Sequence, residues 1–244
     1  MEPRKYIFNN STLTIIFDDI IKSKAEVIVS SDDTGVTMSG GVSGSIRKAG
    51  GEFIRIDAQK KTPAQVGDVV VSTSGDLPHQ KFIFHCLTIN HEQKCDVFNG
   101  TLSNTEDINN YILQHSVDKC FRLLLALDLK SIAFPCIGAG LAHIPLKKVA
   151  EIMADAISSN LSKTQKPYEV ELYLYKKKRF DNNSKEMTEI DYIDMFENFA
   201  IKAALFRYGV QIESKNIPTG PNSTPKPIAN VPQRKEMNHQ VFIS

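Results

Sequence analysis

Two short glycine-bearing turns, Ser39-Gly40-Gly41-Val42-Ser43 and Gly138-Ala139-Gly140-Leu141, are the segments of this chain whose residue types and placement point most directly to chemistry. The first follows the apolar run Val27-Ile28-Val29 and the second follows Ala133-Phe134-Pro135, and each leads towards a stretch with helical periodicity. A turn between a buried strand and a helix presents backbone N–H groups and the positive end of the helix dipole, which together attract phosphate. Glycine at such a turn permits positive φ and a close approach of backbone to ligand. Two such turns facing one another would clamp a diphosphate.

Titratable groups near these turns are the next candidates. Asp33 lies between the Val27-Ile28-Val29 run and the first turn, and His143 lies just beyond the second. A carboxylate can orient a water, and a histidine exchanges protons near neutral pH. Asp33 in an Asp-Asp-Thr-Gly sequence is also ordinary turn chemistry, and Asp19 reads equally as a turn carboxylate. His85, Cys86, His91 and Cys95 form a sequence cluster of metal-ligating types, yet adjacent residues on a strand point to opposite faces, so His85 and Cys86 do not converge on one ion. No metal is expected. The basic run Lys176-Lys177-Lys178-Arg179 reads as a solvated strand end that also draws anions.

Net charge supplies no alternative. With 29 basic and 28 acidic residues the formal charge is +1, which gives no global attraction for nucleic acid or an anionic membrane, so any anion is captured locally. No stretch reaches the length needed to span a bilayer, and the N-terminus lacks a signal-peptide apolar segment, which leads to the expectation of a cytoplasmic protein. Four cysteines scattered over 244 residues do not make a disulfide framework, and reduced thiols are expected.

The elements that must position these residues alternate along the chain. Strands are expected at Tyr6 to Phe8, Thr12 to Phe17, Ala25 to Ser30, Asp68 to Ser72, Lys81 to Cys86, Ser131 to Pro135 and Glu169 to Tyr175. Helices are expected at Val42 to Lys60, with a weak point at Gly50-Gly51, and at Asn104 to Leu127, Leu146 to Leu161 and Glu186 to Phe206. This alternation predicts a layered α/β/α domain ending near Gly209. Five of the eleven prolines follow between Pro218 and Pro232, a composition that favours an extended linker.

These pieces resemble a known family. Asp19-Ile20, then Ala25-Glu26-Val27-Ile28-Val29-Ser30-Ser31-Asp32-Asp33, then Ser39-Gly40-Gly41-Val42, follow the opening of macrodomains, where the pattern runs Gly-Asp-Ile-Thr, a strand, Asn-Ala-Ala-Asn and Gly-Gly-Gly-Val. Gly67-Asp68-Val69-Val70-Val71, Phe82-Ile83-Phe84-His85, Ser131-Ile132-Ala133-Phe134-Pro135 with Gly138-Ala139-Gly140, and Val170-Glu171-Leu172-Tyr173-Leu174-Tyr175 come in the family's order, over roughly residues 5 to 206.

The resemblance implies a three-layer α/β/α macrodomain with a central mixed, mostly parallel sheet and a cleft for ADP-ribose or a related nucleotide. It implies no cofactor. Asp19 would accept from the adenine amino group, with Ile20 beside it, and Tyr175 would cover the adenine face. Ser39, Gly40, Gly41, Val42, Ser43, Pro135, Gly138, Ala139, Gly140 and Leu141 would line the diphosphate and distal ribose. Ser30 and Asp33 stand where the family has asparagines, and Asp33 would lie by the distal ribose hydroxyls. An ionised carboxylate only accepts hydrogen bonds, so ribose recognition must differ from that of an amide.

Other departures bear on catalysis. Ser43 stands where macrodomains that remove ADP-ribose from proteins commonly carry aspartate, and Ala142 replaces an aromatic that often follows the second turn. Asp33 and His143 remain as catalytic candidates. Three readings stand: an ADP-ribose binding module, an ADP-ribosyl hydrolase acting in the same cleft, and a degenerate macrodomain serving as an interaction scaffold. The domain boundaries expected are 1–209 for the macrodomain, 210–240 for the proline-rich linker and 241–244 for something further. Val241-Phe242-Ile243-Ser244 resembles the first strand of Toll/interleukin-1 receptor-like (TIR) domains. That likeness implies a TIR-like partner domain in a longer protein and, since such domains often cleave NAD, a sensor role in NAD-linked signalling or defence.

Overall fold

In the computed structural model, residues 4–90, 105–139 and 144–175 are described. The expected helix at Glu186 to Phe206, the linker, the TIR-like end, the 176–179 basic run, His91, Cys95 and residues 140–143 lie outside them.

The apolar run at Val27 is the middle of the sheet. It begins β3 (Val27–Asp33), which pairs in parallel with both β5 (Phe82–Ile89) and β6 (Ser131–Pro135). Parallel pairing continues from β6 to β7 (Glu169–Tyr173) and from β7 to β2 (Ser11–Ile16). The edges are antiparallel: β1 (Arg4–Phe8) runs against β2, and β4 (Val69–Thr73) against β5. The order β1-β2-β7-β6-β3-β5-β4 is therefore a mixed, mostly parallel seven-stranded sheet. Both of its faces are covered, as the side-chain alternation of a strand requires. Val27 and Val29 join Phe84 and Phe134 in one cluster with Val117 and Phe121 of α3 (Thr105–Ala126) and Met153 and Ile157 of α4 (Leu146–Lys163). The intervening Ile28 joins Ile83, Val70 and Ala133 in a second cluster with Ile46 of α1 (Gly41–Gly50) and Ile54 and Ala58 of α2 (Phe53–Gln59). This is the expected α/β/α layering.

Several expected boundaries shift, and three of the shifts bear on the site. The helix expected from Val42 to Lys60 is two helices, because Gly51 takes φ +85° and its N–H closes on Arg47 O at 2.8 Å. β3 runs on past Ser30 to Asp33, since its polar side chains find partners inside the protein rather than in water. β7 ends at Tyr173, two residues before Tyr175.

Parallel strands leave by the same edge of the sheet. Asp19 follows β2, the Asp33–Gly41 segment follows β3, Gly138 follows β6 and Tyr175 follows β7, and in the sheet these strands lie in the order β2-β7-β6-β3. That is the edge at which open parallel sheets bind ligands. Among the described residues no helix is long and apolar enough to cross a membrane.

Candidate functional site

The loop from β3 to α1 is tightly built. Val36 and Met38 both take left-handed backbone conformations, φ +46° and +48°, although neither is glycine and one is β-branched. Their side chains are fully buried, so apolar burial offsets part of the strain. The rest is held by the Asp33 carboxylate. Oδ1 accepts from Gly35 N at 2.9 Å, Oδ2 accepts from Thr37 N at 3.3 Å, and Oδ2 also accepts the Thr37 hydroxyl proton. From the helices, Gln59 Nε2 donates to Gly35 O at 3.2 Å and Arg47 Nη1 to Thr37 O at 3.4 Å. Asp33 thus serves its own loop with both oxygens, and in this conformation its lone pairs are largely committed.

What the loop delivers is the start of α1. Gly40, its N-cap, is extended at φ −174° and offers no side-chain cap, while Gly41 begins the helix at φ +61°. The first N–H groups of a helix have no intrahelical acceptor, and the first helical bond here is Gly44 N to Gly40 O. A Cβ placed on Gly40 or Gly41 would meet nothing within 4 Å. Both glycines border an open cleft of about 690 Å³ that runs along α1, lined also by Ser39, Gly44, Ser45, Arg47, Lys48 and Glu52. Ser43 turns away from it, donating to Gly40 O at 2.9 Å, and Val42 packs on the core.

The second turn is different. Gly138 takes φ +81°, a backbone that strains any side chain, and a Cβ there would crowd Ile144 Cδ1 at 2.9 Å and Leu113 Cδ2 at 3.1 Å, so this glycine serves the turn and faces the core. Pro135 and Ala139 are buried, and α4 starts only at Leu146 behind Pro145. Gly140, Leu141 and His143 lie outside the described residues.

At the β2 end, Asp19 caps the short turn Ile20–Lys22, its Oδ1 accepting from Ile21 N at 3.1 Å. Lys22 pairs instead with Asp18, and that hydrogen bond holds the Asp18 carboxyl below its usual range. Ile20 is buried and Tyr175 is exposed, while Tyr173 beneath them is buried. Burial, with Glu171 beside it, pushes the Tyr173 phenol up to about 12, so it stays protonated.

Sequence reasoning missed a polar cluster under the loop. Ser30 is fully buried and donates to Asp32 Oδ2 at 2.6 Å, His85 Nδ1 lies 2.8 Å from that same oxygen, and His85 Nε2 lies 2.8 Å from Ser72 Oγ. Ser72, His85 and Asp32 have the connectivity of a hydrolytic triad, but Ser72 is 1% exposed and donates to Thr73 O, so no substrate reaches it as a nucleophile. The only sequence signal was polar residues within otherwise apolar strand runs. Cys86 lies on the opposite face from His85, its Sγ 3.6 Å from that of Cys120.

Residues 29–153, just over half of the chain, match the Macro domain family. The chain belongs to the macrodomain family. It is 26% identical over 173 residues to O-acetyl-ADP-ribose deacetylase 1 of Pantoea vagans, covering 69% of this chain and 94% of that protein. It is 29% identical to the Escherichia coli O-acetyl-ADP-ribose deacetylase over 166 residues, 66% of this chain and 86% of the relative. Among solved structures, the Oceanobacillus iheyensis macrodomain with ADP superposes with TM-score 0.64 at 23% identity, over 84% of this chain and 97% of that one. The Trypanosoma brucei macrodomain in complex with ADP-ribose gives 0.58 at 16% identity, over 76% and 68%. These likenesses agree with the mixed three-layer fold.

Proposed function

We propose that this macrodomain binds ADP-ribose or a nucleotide containing it, with the diphosphate at the start of α1. The observation that carries this reading is the uncapped Gly40–Gly41 helix start, with open space at both glycines, just beyond the C-terminal end of β3. Asp19 lies two strands from Gly138 at that end of the sheet and has one carboxylate oxygen beyond the cap for an adenine amino group, with Tyr175 exposed just past the end of the strand between. The structures of relatives with ADP and with ADP-ribose support the same ligand class.

Binding is favoured over hydrolysis of an ADP-ribosyl bond. The names of the deacetylase relatives favour turnover, but the loop donors on Asp33 and the inward-turned Ser43 leave neither poised to activate a water. A hydrolytic role would rest on Asp33 being released and on His143. A cytoplasmic sensor joined to a TIR-like domain is the biological setting that fits a binder without turnover.

The test is calorimetric titration with ADP-ribose of the native chain and of Gly40→Glu. Gly40 is better suited than Gly41, because at φ −174° any residue keeps the backbone, so the variant fills the cleft without straining the helix start. Saturable binding lost in the variant is expected. No binding by the native chain would leave the scaffold reading.

A further inference from the structure

We infer that His85 and Asp32 share a buried proton and that this pair positions the ligand loop from beneath. The inference deepens the reading of the Gly40–Gly41 cleft and rests on it only for the affinity arm of its test. Ser30 and Asp32 on β3, His85 on β5 and Ser72 on β4 fall on the α1–α2 face of the sheet, an even number of residues along from Ile28, Ile83 and Val70 of that cluster.

The hydrogen positions follow from counting donors. Ser72 has one hydroxyl hydrogen, and with it on Thr73 O at 3.0 Å the ring receives none. The 2.8 Å contact between Ser72 Oγ and His85 Nε2 therefore needs an N–H on the ring. The other ring nitrogen is 2.8 Å from Asp32 Oδ2, which already accepts from Ser30, so that contact needs a second proton. Two ring protons make an imidazolium facing a carboxylate. Of the charged side chains on the neighbouring elements, Asp33 bonds Gly35 and Thr37, Asp57 bonds Thr73 N, Lys61 bonds Val71 O, Arg47 bonds Thr37 O and Arg55 bonds Gln59 and Glu52. His85 is thus the counter-charge to Asp32, whose Oδ1 is buried without a partner. Removing the imidazolium leaves a carboxylate uncompensated in the interior.

This pair sits where the strand becomes the loop. The β3–β5 register runs Asp32 with Leu87 and then Asp33 with Ile89, a jog of one residue. Asp32 fixed to His85 sets the backbone at the jog, and the adjacent Asp33 then reaches Gly35 and Thr37. Asp32 and His85 are positioning residues and touch no ligand.

The experiment is ¹⁵N imidazole NMR on the native chain, with His85→Gln for assignment, and amide hydrogen exchange at Gly35 and Thr37 in the native chain, His85→Gln and Asp32→Asn. Two protonated ring nitrogens on His85 are expected, and an unprotonated Nε2 overturns the proton assignment. In folded variants, exchange at Gly35 and Thr37 should rise and ADP-ribose affinity fall by about tenfold, the worth of one charge-assisted hydrogen bond. Unchanged exchange in folded variants overturns the positioning role. If these variants do not fold, NMR of the native chain decides the proton assignment, and exchange at Gly35 and Thr37 in Ser72→Ala, which removes a partner of the His85 ring, decides the positioning role. If the native chain binds no ADP-ribose, the functional reading fails while the NMR and exchange arms still decide this one.

Discussion

The Asp33 carboxylate accepts from Thr37 twice, from its backbone N–H at 3.3 Å and from its hydroxyl, and so ties the end of β3 to the residue three places before Gly40. This relationship separates two roles for Asp33. If the carboxylate holds the loop, deleting the Thr37 hydroxyl harms the site without touching any ligand. Thr37→Val should cost about 1.5–3 kcal/mol of stability, the range for a hydrogen bond to a charged group, and weaken ADP-ribose binding. Denaturant unfolding and calorimetry check both. Unchanged affinity in Thr37→Val with affinity lost in Asp33→Ala would instead make Asp33 a direct ribose contact.

The break between α1 and α2 gives a second prediction. A Cβ on Gly50 would lie 2.5 Å from Ile54 Cδ1 and 2.9 Å from Ser74 O, and Gly50 O accepts from Asp76 N at 2.9 Å. The helix end is thus pressed against the loop between β4 and β5. Gly50→Ala should destabilise by about 1–3 kcal/mol, the cost of overpacking, although alanine normally favours a helix. A stability equal to or above that of the native chain would show that the contact relaxes freely.

How far the sequence carried these conclusions depended on the kind of signal. Long apolar periodicity placed Val27, Phe84, Ile132 and the faces of α3 and α4 in the core, because burial of alternating or helical stripes is a local property of the chain. The Gly40–Gly41 turn was legible for the same reason. Side-chain partners across strands were not. Nothing in the spacing of Asp32, Ser72 and His85 brings them together until the order β3-β5-β4 is known. The two glycine turns read alike in sequence, yet Gly40 faces open space and Gly138 faces Ile144 and Leu113, since the need for a missing Cβ does not say what fills its place. Ser30 and Ser43 stood as candidate ligand contacts, and the structure adds that their hydroxyls bond Asp32 and Gly40 O within the protein.

The core thiols should be chemically quiet. Burial, with Cys86 beside it, pushes the Cys120 thiol well above its ordinary value, so little thiolate is present at neutral pH. Cys136 is less buried. With iodoacetamide under native conditions, Cys136 should be alkylated well before Cys120, whose labelling should track global unfolding. Mass-spectrometric mapping reads the order, and early modification of Cys120 in folded protein would contradict the packing of α3 on β5.

His115 on α3 offers a test in acid. It stacks on Tyr111 with ring centroids 5.0 Å apart. Its proton affinity is held below the ordinary histidine value of 6.5 by burial first, then by Lys119 and Arg122. A depressed value in the folded state means that, as pH falls through 6.5, the unfolded chain takes up a proton before the folded one. The folded state then loses stability until the pH passes below the folded value, where the loss levels off; above 6.5 the group contributes no pH dependence. His115→Gln removes this component. The stability gap between native chain and variant, from urea titrations at a series of pH values, should therefore move against the native chain on acidification through that window. A gap that is flat, or that moves in the native chain's favour as pH falls, would mean that the folded state does not disfavour the charged ring.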